Sequence, residues 1–115
     1  MLYHVEVFMP KFHFPIGQFK LRYTTHAIKE CNSDRYGIVI PPQTLNTEHC
    51  SVIEVETGER NEIIKIVYRQ RLDANRDIAI AVDVTRQPWT VKTIWVNLRS
   101  DNHRTLNKSK YAKPA

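Results

Sequence analysis

Between Asn61 and Leu98 the chain alternates apolar and polar residues through three runs, divided by two short polar breaks. The first run carries Ile63, Ile64, Ile66, Val67 and Tyr68, interleaved with Lys65, Arg69 and Arg71. The second, Asp77 to Val84, puts Ile78, Ile80, Val82 and Val84 on one face. Ala79, Ala81 and Asp83 fall on the other, because strand side chains alternate with period two. The third, Thr90 to Leu98, is again rich in β-branched and aromatic residues. The breaks, Leu72 to Arg76 and Arg86 to Pro88, favour tight turns and therefore an antiparallel meander. A fourth run, Cys50 to Thr57, joins it, with Ile53 and Val55 expected inward and Glu54 and Glu56 outward. Gly58 is expected to supply the positive φ of the link to Asn61.

The remaining elements must cover this sheet. Residues 1–24 read as an N-terminal strand pair, either a hairpin or two edge strands, one run ending at Pro10 and the second carrying Phe19, Leu21 and Tyr23. A helix is predicted over 25–36, capped by Thr24 or Thr25, with Ala27, Ile28 and Cys31 on one stripe and Gly37 as its left-handed stop. Ile38-Val39-Ile40 runs into Pro41-Pro42, and Gln43 to His49 reads as a loop or a short helical turn. Residues 107–115 form a basic tail without apolar periodicity, expected to fray. The expected fold class is α+β: a four-stranded antiparallel meander over 50–98, one main helix packed on it, and the N-terminal strand pair.

At 115 residues the chain is a single domain. No apolar run approaches the ~20 residues a membrane span needs. The start, Met1 to Glu6, lacks the basic segment of a signal peptide, so a cytoplasmic location is expected. Cys31 and Cys50 form no Cys-x-x-Cys pair and no zinc-spaced cluster; reduced thiols, no metal and no cofactor are expected. The net charge of +5 is concentrated at the C-terminal end. From Arg99 onward, Arg99, Arg104, Lys108, Lys110 and Lys113 face only Asp101. Such an end suits a polyanion, and it also suits a merely solvated charge run.

Gly-rich phosphate loops, nucleophile elbows and zinc-protease pairs are absent. His26 lies in the first helical turn, one residue off the apolar stripe, where an imidazole can move a proton to or from a ribose hydroxyl. A solvent-facing helix-start histidine is the plainer alternative. Arg69 and Arg71 share one strand face about 7 Å apart, a spacing that matches successive phosphates. They can equally form cross-strand ion pairs with Glu54 or Glu56. His103 follows the last strand and can act as acid to the base of His26. Asp83 suits a ladder partner, and Trp89 and Trp95 suit packing better than base stacking.

Thr24-Thr25-His26-Ala27 at a helix start, then a basic meander closing on Lys92-Thr93-Ile94-Trp95-Val96-Asn97, resembles small RelE-type or barnase-like ribonuclease-toxin domains. Asp101, His103 and Thr105-Leu106, with Lys108-Ser109-Lys110-Tyr111, resemble the C-terminal extensions of phage-encoded and polymorphic-toxin proteins. The resemblance implies a metal-independent endoribonuclease that cleaves RNA by 2′-hydroxyl attack. His26 is then the helix histidine, Arg69 the strand arginine and Thr93 the hydroxyl on the last strand. RNA would be bound by Arg71, Arg99, Arg104, Lys108 and Lys110, and an inhibitory protein is the implied partner. Two other readings stand beside it. One is a non-catalytic accessory protein binding nucleic acid or a host protein through its basic C-terminal region, the other a virion structural component.

Overall fold

The structure is a computed structural model and describes residues 2–4 and 14–100. In chain order the elements are β1 (Leu2–His4), β2 (Gln18–Tyr23), α1 (Thr25–Ser33), β3 (Thr44–Asn46), a 3₁₀ turn (Thr47–His49), β4 (Ser51–Thr57), β5 (Ile63–Arg71), β6 (Arg76–Asp83) and β7 (Trp89–Leu98). Six strands form one mixed sheet in the order β1-β4-β5-β6-β7-β2, and β3 adds antiparallel to β2. The sheet curves into a half-barrel with one helix.

This architecture corrects the expected four-stranded antiparallel meander. β2 runs parallel to β7, with Leu21 opposite Trp89 and Tyr23 opposite Val91. Of the two arrangements open to the N-terminal strands, the hairpin is the one excluded. β1 lies against β4 at one edge, while β2 lies across the sheet beside β7. Antiparallel neighbours are joined by turns that sequence can flag, whereas a parallel partner needs a long crossover and leaves no local mark. Residues 5–9 of the expected first strand, and the expected tail at 107–115, lie outside the described residues.

Alternation on β5, β6 and β7 creates two buried faces. Toward α1 lie Ile66, Tyr68, Ile78, Ile80, Val82, Val91, Ile94 and Val96, with Ala27 and Cys31 of the helix against them. Trp89 is 2% exposed there, and the Phe19 ring stacks on it at 3.9 Å. The opposite face buries a smaller cluster, Ile53, Val67, Ala79, Ala81 and Trp95. Register shifts between Val52 and Glu54, Glu56 and Thr57, and Ala81 and Val82 sharpen the twist. The first corrects the expectation for β4. It places Ile53 in the smaller cluster while Val55 joins the helix-side core, and it leaves Glu54 only 2% exposed.

Helix α1 is shorter than predicted. Thr24 caps it by accepting from the Ala27 N–H at 3.1 Å. Its end comes at Ser33, before Gly37, because Asp34 adopts an extended backbone and its carboxylate accepts from the Tyr36 N–H at 2.9 Å. Beyond it Val39 is buried, its N–H donating to the Cys31 carbonyl at 2.9 Å, while Ile38 and Ile40 are exposed, and the stretch belongs to no strand. At the β4–β5 link the left-handed residue is Asn61 (φ 62°), not Gly58. A Cβ at Gly58 would meet only the carboxylate end of the exposed Glu62 side chain, 2.6 Å away, which is free to swing aside.

Candidate functional site

The β5–β6 turn gathers most of the polar chemistry at one end of the sheet. Asp73 organises it by accepting from the Asn75 and Arg76 N–H groups and from Arg76 Nε at 2.7 Å. These donors, Arg76 first, hold the Asp73 carboxyl below its usual range. Arg76 Nη1 also donates to the Tyr36 carbonyl at 2.7 Å, tying the turn to the exit of α1. Arg99 closes the turn from just beyond β7. Its Nε donates to the Ala74 carbonyl at 3.2 Å, and its Nη2 donates to the carbonyls of Asp73 and Arg76.

Asp77 links this turn to the sheet face below. Its Oδ2 accepts from Arg69 Nε at 2.8 Å, and its Oδ1 stands 3.0 Å from Arg99 Nη2, a close ion pair without hydrogen-bond alignment. Arg69 also donates to the Leu98 carbonyl at 3.3 Å. Its ion pair is with Asp77, while Glu56 pairs with Lys65 at 3.4 Å. Arg71 is exposed at the end of β5. Arg69, Arg71, Arg76 and Arg99 thus surround one turn that supplies two carboxylates, Asp73 and Asp77.

The sites read from sequence are not all brought together. His26 is on α1 with its side chain 69% exposed, its Nε2 lying 3.5 Å from Glu30 Oε2. Arg69 projects from the sheet face away from α1, since its neighbour Tyr68 packs in the helix-side core. The sheet therefore separates His26 from Arg69. Thr93 shares the Arg69 face but stands opposite Ala81, with Val67, Ala79 and Trp95 filling that face. Arg71 and Arg99 lie at the same end as Arg69. His103, Arg104, Lys108 and Lys110 lie outside the described residues. Asp83 closes the β6–β7 link, accepting from the Thr85 N–H at 2.8 Å and the Thr85 hydroxyl at 2.5 Å. Both Trp89 and Trp95 are buried.

Two carboxylates, Glu30 on α1 and Asp34 just past its end, carry a role that the helical stripe alone did not reveal. β2 stops at Tyr23 opposite Val91, so the outer edge of β7 has no strand partner beyond that point. Glu30 accepts from the Ile94 N–H at 3.1 Å and Asp34 from the Val96 N–H at 2.8 Å. Acids four apart in sequence meet backbone donors two apart on a strand, because both repeats are close to 6–7 Å. The visible signal was their spacing, four from each other and flanking Cys31. Beside them lies a cavity of about 230 Å³.

Both cysteines are free. Burial pushes the Cys50 thiol up to about 11, which removes it as a nucleophile near neutrality. Among the described residues no three His, Cys, Asp or Glu side chains gather to hold a metal ion. No helix among them is long and apolar enough to cross a membrane. Comparison with protein families, with curated proteins and with solved structures finds no match to this chain. The resemblance to ribonuclease toxins therefore rests on its short motifs.

Proposed function

We propose that this chain binds nucleic acid, with single-stranded RNA as the first candidate, through the arginine end of its sheet. The observation that carries the reading is the gathering of Arg69, Arg71, Arg76 and Arg99 around a turn holding only Asp73 and Asp77. Guanidiniums held by carboxylates and turn carbonyls are oriented before a ligand arrives, which favours planar contacts to phosphate. Arg71 and the half-exposed Arg99 offer the accessible N–H groups. The chain continues from Ser100 at this same end into the residues that carry Arg104, Lys108, Lys110 and Lys113. Cleavage through His26 and Arg69 would need both in one cleft, and the sheet stands between them.

The test is a salt titration of full-length protein with a labelled single-stranded RNA. Binding should weaken linearly in log–log form, with a slope of about −0.7 per phosphate contact. Arg71→Glu should weaken binding and make that slope shallower. Arg86→Glu, in the β6–β7 link at the other end of the sheet, should change little. Equal effects of the two reversals, or salt-independent binding, would reject the arginine end as the interface. Fragmentation of the RNA in EDTA that stops with His26→Ala would restore the nuclease reading.

A further inference from the structure

The cavity of about 230 Å³ lies where α1 closes over the uncovered edge of β7. Its wall is apolar at Trp95 and Val96, and Arg35 stands at it, exposed to solvent. Glu30 and Asp34 line it while holding the Ile94 and Val96 N–H groups. In an extended strand a residue's N–H and C=O point to the same side, so the carbonyls of Ile94 and Val96 face this gap as well. Asn97 also lines the cavity. It is 3% exposed, and its Nδ2 has no hydrogen-bond partner among the described residues.

A buried amide donor left without an acceptor is costly, so a ligand that supplies an acceptor gains there once the Asn97 amide turns from its shielded position toward the cavity. The carboxylates and carbonyls beside it call for donors on the same ligand. A peptide strand added to β7 fits poorly, because its carbonyls would need the two N–H groups that the carboxylates of Glu30 and Asp34 already hold. A flat heterocycle with a donor beside an acceptor fits better, and the volume suits one ring system: a cavity of about 150 Å³ already holds benzene. The location points the same way. Arg76 reaches the Tyr36 carbonyl, next to Arg35, and Asn97 stands opposite Asp77, the partner of Arg69 and Arg99.

We propose that this cavity takes one unstacked base of a single-stranded nucleic acid whose neighbouring phosphates lie on the arginine end. This rests on the nucleic-acid reading above and adds where the base goes. Asn97 donates to the base, the cavity carboxylates accept from it, and Arg35 meets the adjoining phosphate.

The probe is a single-stranded RNA of about 12 nucleotides, compared with a strand of the same length in which every base is removed, each titrated against full-length protein at fixed salt. The intact strand should bind about tenfold more tightly, the scale of one sequestered base. Asn97→Leu should abolish most of that preference and leave the salt slope unchanged. Ser33→Trp, at an exposed helix position on the cavity rim, should do the same by filling it, and it remains informative if Asn97→Leu unfolds. Equal affinity for the two strands, with a normal salt slope, overturns the base pocket and leaves the nucleic-acid reading standing. A preference that survives Ser33→Trp in a folded protein also overturns it. Absence of salt-dependent binding to either strand removes both.

Discussion

Asp77 is the residue on which the arginine end depends. Its side chain is 13% exposed and that of Arg69 is 9% exposed, so the pair is shielded from water on both sides. Removing one member of a buried pair strands the other charge at a cost of about 3–5 kcal/mol, more than the pair itself contributes. Asp77→Ala should therefore lower unfolding stability in urea by about that amount. Arg69→Met with Asp77→Leu should recover most of it, because neither charge is then left buried. His26 is the opposite case: its side chain is 69% exposed and meets the shielded Glu30 only by a 3.5 Å contact across one helical turn, so His26→Ala should cost no more than about 0.5 kcal/mol. Asp83 carries a pH signature. The Thr85 hydroxyl, then the Thr85 amide, hold its folded carboxyl below the usual range. Its contribution is thus present above the unfolded value, about 3.9, and fades as the pH falls through the lower folded one. Asp83→Asn should be less stable than wild type at pH 7, and the gap should close in strong acid; urea midpoints at both pH values measure it.

At the scale of elements, the informative feature is how the edge of β7 is finished. Exposed strand edges invite pairing with other chains, and here a helix and its exit close the edge with side chains in place of a strand. A hydrogen bond to a charged group is worth about 1.5–3 kcal/mol, so Asp34→Ala should destabilise by an amount in that range. It should also speed hydrogen exchange at the Val96 amide, while Ile94, held by Glu30, stays protected. The two-sided pattern of β6 is legible in the sequence because alternation and turn residues are local properties. The position of β2 is not, since it meets β7 across 68 positions where Arg22 Nε donates to Thr90 Oγ1. Simple alternation puts Ile53 on the wrong face because one bulged residue shifts every later side chain on β4, and bulges carry no composition mark. The helix end differs from expectation for a related reason. Gly37 has the usual mark of a stop, but Asp34 commits its carboxylate to Tyr36 and Val96 three residues earlier. The arginines themselves are legible; their partner Asp77, two strand residues from Ala79, reads as one more polar turn flank.

Across the whole molecule, charge is distributed by end. Successive antiparallel turns alternate ends of a sheet, so the β5–β6 turn with Asp73, Arg76 and Asp77 lies opposite the β4–β5 and β6–β7 links. Those links carry Glu59, Arg60, Glu62 and Arg86, a balanced set. The arginine end is where β7 finishes, and the sequence that follows Ser100 is rich in lysine and arginine. If both parts engage the same polyanion, their contributions to counterion release must combine. Replacing Lys108, Lys110 and Lys113 together by Gln in the full chain should make the salt slope for single-stranded RNA shallower by about 0.7 for each phosphate no longer neutralised. Combining those changes with Arg71→Glu should flatten it further, with little change in the thermal midpoint because Arg71 is exposed and forms no part of the core. A slope that responds to Arg71→Glu and ignores the lysines would confine the interface to the sheet. A slope that responds only to the lysines would make the ordered arginines a structural clamp on the β5–β6 turn and leave binding to the C-terminal residues alone.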